Sequence, residues 1–377
     1  MKIILLKTLI LFLTISFLDV SVYADINDDM YVKATNAVNE YIAKSIELGQ
    51  REWEGFNVSD SHELYDNMLD QYGYAFELNS NASPGYAIVT CDTESCSVIE
   101  ASYDSPSPYI DCNKNNKYIY TSALEYYVAE PVSTFSTTVT FKNAETGEAA
   151  NLRGDIRYRT VNSSVNSHIQ RSSPSYEGVH YVDNYATQFE AINQSTGYNC
   201  VATSMAMCLN YLKNRGRITF NNLNENSEFG GTTIVEKVRG TITDYYNGNT
   251  TGSDSIVRPA INKFGEDHCN PKIYTKDNGF WGNSVTTDIT FNTIMTEIGD
   301  NCPLVMMFNP GCVLSGINMN HATACFGYKR AYYSNSTIKD YTIVKVPQNL
   351  SNNANVVTKE ILWCYQNVHG YYLVYIC

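Results

Sequence analysis

The stretch that decides the fold is Gln194–Tyr211, QSTGYNCVATSMAMCLNY, in a chain of 377 residues. It begins with polar residues, reaches Cys200, and continues as a run of small and apolar helix formers. The pattern predicts a helix from Cys200 to about Lys213, with the cysteine on its first turn. Unpaired backbone N–H groups and the helix dipole at this end favour the thiolate, which is the reactive form of cysteine.

Gln194 lies six residues before this cysteine. A side-chain amide at that distance can fold back and donate to an oxyanion that forms beside the sulfur. One cysteine, one glutamine and one helix start therefore indicate acyl-transfer chemistry. The alternative is that Cys200 is an inert buried or disulfide-bonded cysteine and that Gln194 is an ordinary surface residue.

The composition limits the class of protein. The formal net charge is −13, which argues against nucleic acids and anionic membranes as main partners. Only 17% of the residues are charged and 30 are tyrosines, which is typical of a globular extracellular protein and not of a disordered one. The length alone predicts two or three domains.

Residues 1–24 have the pattern of a secretory signal peptide. Lys2 and Lys7 precede a short apolar run, Leu9–Leu18, and Val22-Tyr23-Ala24 is typical of a cleavage site. We therefore expect a secreted, extracellular protein that has no membrane contact once the signal is removed. The alternative is that the segment stays attached as an uncleaved anchor.

Eleven cysteines fit an exported protein, and their odd number leaves at least one unpaired. Catalytic Cys200 would be the natural unpaired thiol. Two local disulfides are plausible, Cys91–Cys96 and Cys302–Cys312, but the sequence does not determine the pairing. His268 and Cys269 are neighbours without a second ligand pair, so we do not expect a zinc site.

Residues 25–150 are predicted to form a small α+β domain without a catalytic group of its own. An amphipathic helix is expected over Met30–Leu48, and a second, short helix over Ser122–Glu130 (SALEYYVAE), stopped by Pro131. Strands are expected over Tyr72–Leu78, Gly85–Asp92 and Ser97–Ala101. Residues 151–177 are rich in Ser, Asn and Arg, which predicts an exposed linker that is open to proteolysis. The alternative is an ordinary surface loop.

Residues 178–377 are predicted to form a second domain, in which the Cys200 helix precedes an antiparallel sheet. Further helices are expected over Ser255–Phe264 and Phe291–Gly299. The expected strands are Pro303–Phe308, His321–Tyr328, Tyr341–Val346 and Gly370–Cys377. The Asn- and Gly-rich stretch Asn221–Thr251 is expected to consist of loops.

These motifs together resemble the streptopain-type cysteine peptidases, a branch of the papain-like group. The resemblance rests on Gln194, on Cys200-Val201-Ala202-Thr203 with a helix ending in Asn210-Tyr211, and on His321-Ala322 heading a strand that ends in Gly327-Tyr328. The first domain is similar to the inhibitory prodomain of that family in content and position. The fold that this implies is α+β: a papain-like catalytic domain preceded by a small α+β prodomain.

The resemblance implies a secreted endopeptidase that is made as a zymogen. Cys200 would attack the peptide carbonyl and form a thioester, and His321 would act as base and acid. Gln194 and the Cys200 backbone N–H would form the oxyanion hole. The partners would be protein or peptide substrates and, as an intramolecular inhibitor, the chain's own residues 25–150.

One position departs from the family pattern. Papain-like enzymes orient the histidine with an asparagine on the following strand, and here Val346 stands at that place. Gln348 or Asn349 could take this role if the register differs.

Other functions stay open at this level. The chain could be a catalytically inactive binding protein that keeps the papain fold, which Val346 favours, or an enzyme that passes the acyl group to an amine. Bacteriocin-leader peptidases carry similar motifs but are usually tied to transporters, so we rank them lower.

Overall fold

The computed structural model describes most of the chain. The described residues are 29–66, 69–81, 83–122, 124–131, 139–150, 152, 177–195, 199–245, 254–277, 291–308, 321–334, 337–347, 356–363 and 368–376. The expected signal peptide, residues 1–24, and nearly all of the expected linker, residues 151–177, lie outside them.

The part of the chain from residue 29 to residue 150, called here the N-terminal region, contains one long helix and eight strands. Helix α1 covers residues 29–47 and a single 3-10 turn covers Arg51–Trp53. The strands are β1 (Asn57–Tyr65), β2 (Gln71–Asn79), β3 (Pro84–Cys91), β4 (Cys96–Ser102), β5 (Lys117–Ser122), β6 (Glu125–Pro131), β7 (Val139–Asn143) and β8 (Ala149–Ala150). The first predicted helix and the three predicted strands are therefore confirmed.

The predicted helix over Ser122–Glu130 is wrong, because this segment contains strand β6. Its buried residues alternate between two apolar clusters, with Tyr126 and Val128 in one and Tyr127 and Ala129 in the other. Such a period of two suits a strand that is covered on both faces, and pairing with β5 and β7 satisfies its backbone. The Ala, Leu and Glu residues favoured a helix by local propensity, but tertiary packing outweighs that preference.

The C-terminal part, residues 177–376, carries the remaining elements. In chain order they are β9 (Gly178–Tyr181), α2 (Tyr185–Gln188), α3 (Cys200–Asn214), β10 (Thr219–Phe220), α4 (Ile234–Tyr245), α5 (Asp254–His268), β11 (Cys269–Asn270), β12 (Ile273–Asp277), α6 (Phe291–Gly299), β13 (Leu304–Phe308), β14 (His321–Tyr332), β15 (Ile338–Val346), β16 (Val357–Leu362) and β17 (Val368–Ile376). The predicted helices and strands of this part are confirmed, and β14 pairs antiparallel with β15 as expected.

The expectation of loops across Asn221–Thr251 is wrong in part, because α4 lies inside this stretch. A capping box starts the helix: the Glu236 carboxylate accepts the Thr233 backbone N–H at 3.0 Å, and the Thr233 hydroxyl accepts the Glu236 N–H at 3.3 Å. Val235, Val238 and Ile242 then bury one face of the helix. This Thr-x-x-Glu signal was present in the sequence, but the surrounding Asn and Gly residues obscured it.

Both parts of the chain contribute to one large, mostly antiparallel sheet. The strand order is β12-β17-β13-β14-β15-β16-β4-β3-β2-β1-β5-β6-β7-β8, and β9 pairs with β14. The two parts meet where β16 pairs with β4, with Glu360 opposite Ala101 and Ile361 opposite Glu100. This mixed architecture of helices and a large antiparallel sheet agrees with the expected α+β class and is compatible with a papain-like fold.

Two large apolar cores lie on this sheet. The C-terminal core packs α3, α4, α5 and α6 against β13, β14 and β15. The N-terminal core contains α1 and β1–β6, but it also includes four residues of the C-terminal part, Ala331, Tyr333, Tyr341 and Leu362. Within the described residues, no helix has the length and apolar character needed to cross a membrane.

One of the two plausible disulfides is formed. Cys91 and Cys96 are bonded across the β3–β4 hairpin. Cys302 is a free thiol, and Cys312 lies outside the described residues. The other described free cysteines are Cys112, Cys200, Cys208, Cys269 and Cys325.

Candidate active site

Cys200 is the first residue of α3, as the sequence predicts. The loop before it is tied back onto the helix, since the Asn199 side-chain amide donates to the Ser195 hydroxyl at 2.6 Å. The Asn199 carbonyl accepts the Thr203 backbone N–H at 2.9 Å, which closes the first turn. The thiol is thus held at a fixed point, and Cys200 is only 9% exposed.

The first turn of α3 meets the beginning of β14 at Ala322. The Ser204 hydroxyl, one turn after Cys200, donates to the Ala322 carbonyl at 3.0 Å. The Ala322 backbone also lowers the pKa of the Cys200 thiol, which places Ala322 close to the sulfur. Because Ala322 directly follows His321, these contacts bring the cysteine and the histidine predicted from the sequence to one place in the fold.

The thiol is electrically neutral in this state. Burial raises the pKa of Cys200, and it outweighs the backbone hydrogen bonds from Ala322, Val201 and Cys200 itself, which lower the pKa. The backbone N–H groups at this helix start do favour the thiolate, as expected from the sequence, but burial has the larger effect on the pKa. The helix position is correct, but desolvation of a charged sulfur is the larger effect.

The imidazole is neutral as well. Burial, aided by the positive charge of Lys359, lowers the pKa of His321 to about 4. Its Nε2 atom is buried and has no hydrogen-bond partner within the described part of the chain. The reactive form of a cysteine–histidine site is thiolate and imidazolium, so a neutral thiol and a neutral imidazole are unreactive.

This protonation state predicts how the uncut chain reacts with an alkylating agent. With a thiol pKa raised above its ordinary value, Cys200 is almost entirely in the thiol form at pH 7. The rate of Cys200 alkylation by iodoacetamide should therefore keep rising as the pH is raised through neutrality, without a plateau below the ordinary pKa of a cysteine. Mass spectrometry of the Cys200 peptide measures this rate, and a plateau below pH 7 would contradict the neutral pair.

Gln194 is positioned by the strand that follows the histidine strand. Its Nε2 donates to the Pro347 carbonyl at 2.9 Å, and its Oε1 is buried without a partner among the described residues. A primary amide carries two N–H donors, so the second remains available for an oxyanion. The bond to Pro347 fixes the orientation of the amide.

Replacement of Gln194 by alanine should reduce kcat about 10²- to 10³-fold, which is the usual cost of one oxyanion-hole donor. KM should change little, because the oxyanion develops after substrate binding. Gln188→Ala is a matched control, because Gln188 is on α2 and its carbonyl contacts Asn214 at the opposite end of α3. Equal kcat values for the two variants would exclude Gln194 from the oxyanion hole.

Sequence reasoning missed Arg239, a buried arginine on α4 that holds the segment carrying Gln194. Its guanidinium donates to three backbone carbonyls: Asn193 at 2.7 Å, Phe229 at 2.9 Å and Gly230 at 2.9 Å. The side chain thus links α4 to the residue immediately before Gln194. Recognising it from sequence would have required the capping box that starts α4.

Arg239 should therefore act as a positioning residue. We expect Arg239→Met to lower kcat about tenfold or more through Gln194, with a smaller change in KM and an unchanged pH profile. Arg239→Lys should recover only part of the rate, because lysine cannot bind three carbonyls in this planar arrangement. If Arg239→Met lowers kcat as much in the Gln194→Ala background as in the wild type, the effect does not pass through Gln194.

The residue that orients His321 stays unassigned. Val346 lies in β15, opposite Val357 of β16, and its side chain offers no hydrogen bond. Gln348 and Asn349 lie outside the described residues.

In the described part of the chain, one group of side chains has a geometry that could hold a metal ion: Asp60, His62 and Glu77. Asp60 is paired with Lys114 at 2.5 Å, and His62 lies 3.2 Å from Glu77. These residues are on β1 and β2, which several strands separate from β14 in the sheet. They have no connection to the chemistry at Cys200.

A helix that presents a cysteine, followed by an antiparallel sheet whose strand begins with a histidine, is compatible with a papain-like cysteine peptidase. Residues 186–369 match the model of the Peptidase_C39 like family, and this range contains Gln194, Cys200 and His321. The match supports a cysteine peptidase of the papain-like clan, and it does not favour the inactive alternative. Comparison with curated proteins gave no match.

Proposed function

We propose that the chain is a streptopain-like cysteine endopeptidase in which Cys200 is the nucleophile. The observation that carries this proposal is the hydrogen bond from Ser204, one turn after Cys200, to Ala322, next to His321. The Cys200 thiol gives its proton to His321, and the sulfur attacks the peptide carbonyl carbon. Gln194 and the Cys200 N–H donate to the oxygen that becomes negatively charged.

The tetrahedral intermediate then collapses. The C–N bond breaks, His321 returns its proton to the leaving amine, and a thioester remains on Cys200. In the second half, His321 takes a proton from water, the resulting hydroxide attacks the thioester carbonyl, and the acid leaves while the sulfur is reprotonated. No metal or cofactor takes part in these steps.

We further propose that the protein is secreted and made as a zymogen, in which residues 25–150 keep the site inactive until segment 151–177 is cut. The neutral state of Cys200 and His321 supports this role, because it is unreactive. Lys359, whose charge helps keep His321 neutral, is held by Tyr126 at 2.6 Å and lies 3.5 Å from Glu100, both from the N-terminal region.

Leu124 gives a second connection between the N-terminal region and the site. This residue has a left-handed backbone (φ 69°), which is strained for leucine, and it packs against the C-terminal core that includes Cys200. Its N–H donates to Glu100 at 3.2 Å, which holds the segment in place. The connection between β5 and β6 thus packs against the apolar core that contains Cys200.

Product analysis tests the proposed reaction. The folded chain, cut within 151–177, should cleave an unstructured protein internally and produce new carboxyl and amino termini that mass spectrometry detects. Cleavage should be absent in Cys200→Ser. Products joined to an added amine in place of free carboxylates would instead indicate acyl transfer.

A further inference from the structure

We infer that the N-terminal region stays bound to the C-terminal part after segment 151–177 is cut, so that the cut chain is a stable two-fragment complex. The surface that binds it is formed by β16 together with neighbouring residues of β14 and β15. This inference goes beyond the proposed activity and rests on the contacts between the two parts, not on the nucleophile. The cut would then have to activate the site by a change within this complex, and not by release of the region.

The first observation is that the sheet runs through the boundary. β16 is flanked by β15 on one side and by β4 on the other. Departure of the N-terminal region would leave β16 as a bare edge, with unpaired backbone groups that must be solvated or covered.

The second observation is a buried carboxylate that belongs to one part and is bound by the other. Glu360 of β16 is fully buried and accepts hydrogen bonds from Tyr41 at 2.6 Å, Gln50 at 2.9 Å and Trp53 at 3.0 Å. It also forms an ion pair with Lys329 at 2.5 Å. Three of its four partners therefore come from the N-terminal region.

Lys329 is joined to the N-terminal region as well. Its ammonium group donates to the Ser45 hydroxyl at 2.9 Å and lies 3.7 Å from the centre of the Tyr41 ring. A buried ion pair needs such additional partners to offset its loss of hydration. The Glu360–Lys329 ion pair therefore has all of these hydrogen-bond and ring partners only when α1 is bound.

The third observation is a second charge pair, on neighbouring strands, that crosses the boundary directly. Glu100 of β4 lies 3.5 Å from Lys359 of β16, and both are nearly inaccessible to water. Tyr86 and Tyr120 donate to the same carboxylate at 2.6 and 3.1 Å, and Tyr126 donates to it as well. The Lys359 ammonium also faces the Tyr126 ring.

The fourth observation is that the two parts share an apolar core. Tyr341 is fully buried in the N-terminal core, packs edge-on against Tyr41, and donates to the Val98 carbonyl at 3.0 Å. Leu362 and Tyr333 belong to the same core. Separation of the two parts would expose these apolar side chains and Trp53 to water. The free-energy cost of this exposure strongly favours the complex.

Limited trypsin digestion of the folded chain tests the inference, since segment 151–177 contains Arg153, Arg157, Arg159 and Arg171. The experiment uses a Cys200→Ser background, in which the chain cannot cut itself, so the outcome does not depend on peptidase activity. We expect both fragments in one gel-filtration peak at the position of the uncut chain, and two bands on a denaturing gel. Fragments that elute separately under native conditions would overturn the inference.

Two substitutions test whether the crossing contacts hold the fragments together. Lys359→Met leaves Glu100 with its tyrosine donors, and Trp53→Phe removes one donor to Glu360 while the aromatic packing is kept. Together they should raise the dissociation constant of the cut chain roughly 10- to 100-fold. Lys263→Met is the control, because Lys263 forms an exposed pair with Asp267 on α5.

Thermal unfolding of the uncut variants shows whether a substitution destabilises the fold. This distinguishes a folding defect from a weaker association of the two fragments. A folded double variant whose fragments dissociate no more readily than those of the Lys263→Met control would show that these contacts do not hold the complex.

Discussion

Cys200→Ser should abolish peptide hydrolysis by the cut chain. The loss expected on removal of a covalent nucleophile is on the order of 10⁴- to 10⁶-fold in kcat, because the thioester can no longer form and only substrate binding and the oxyanion hole remain. Serine keeps the size of the side chain, so the hydrogen bond between Ser204 and Ala322 should persist. The measurement is the rate of hydrolysis of a fluorogenic peptide by folded protein.

Cys208→Ser is the matched control for this prediction. Cys208 lies on the same helix, is fully buried and is a free thiol. Its substitution should cost some stability but leave most of the activity in the folded protein. A Cys200→Ser variant that keeps more than about one hundredth of the wild-type rate would exclude Cys200 as the nucleophile.

His321→Ala should lower kcat by a similar factor, on the order of 10⁴-fold or more, because both the base and the acid of the reaction are removed. The remaining thiol should also react more slowly with iodoacetamide at pH 7 in the cut chain, and this loss should disappear at a pH above the thiol pKa. The two measurements together identify the histidine as the proton acceptor of Cys200.

His180→Ala is the control, because His180 lies on β9 and stacks on Tyr328, which belongs to the same strand as His321. This variant should retain the wild-type pH dependence. If His321→Ala kept wild-type thiol reactivity across the pH range, the proposed pairing of His321 with Cys200 would be wrong.

Local patterns predicted the elements that position the site. The change from polar residues to helix formers at Cys200 placed the start of α3 correctly, and the apolar run from Leu304 to Phe308 is a buried strand. His321 heads β14 as expected. These features depend on neighbouring residues along the chain, which is why periodicity and end signals were sufficient.

Contacts between distant parts of the chain were not predictable in this way. Nothing near Glu100 or Lys359 in the sequence indicates that their side chains meet across β4 and β16. The same holds for the Arg239 contact with the Asn193 carbonyl, which links residues 46 positions apart. The effect of burial, which raises the pKa of Cys200, was also not predictable, because desolvation depends on everything packed around the sulfur.

In the N-terminal region, some elements were predictable from the sequence and others were not. Its first helix and first strands followed from sequence, whereas Tyr126–Ala129 form a strand that local propensity assigned to a helix. Its role as inhibitor remains a proposal. The buried contacts of Glu360 with Tyr41, Gln50 and Trp53 show how closely it is joined to the rest of the chain.

The most direct measurement is the labelling of Cys200 by an epoxide inhibitor of cysteine proteases, before and after the cut in segment 151–177. The label is located by mass spectrometry, and Cys200→Ser serves as the control. We predict labelling at Cys200 in the cut chain and little or none in the uncut chain, since its thiol and imidazole are neutral. Folded protein that is not labelled in either state would contradict the assignment of Cys200 as the nucleophile of a cysteine peptidase.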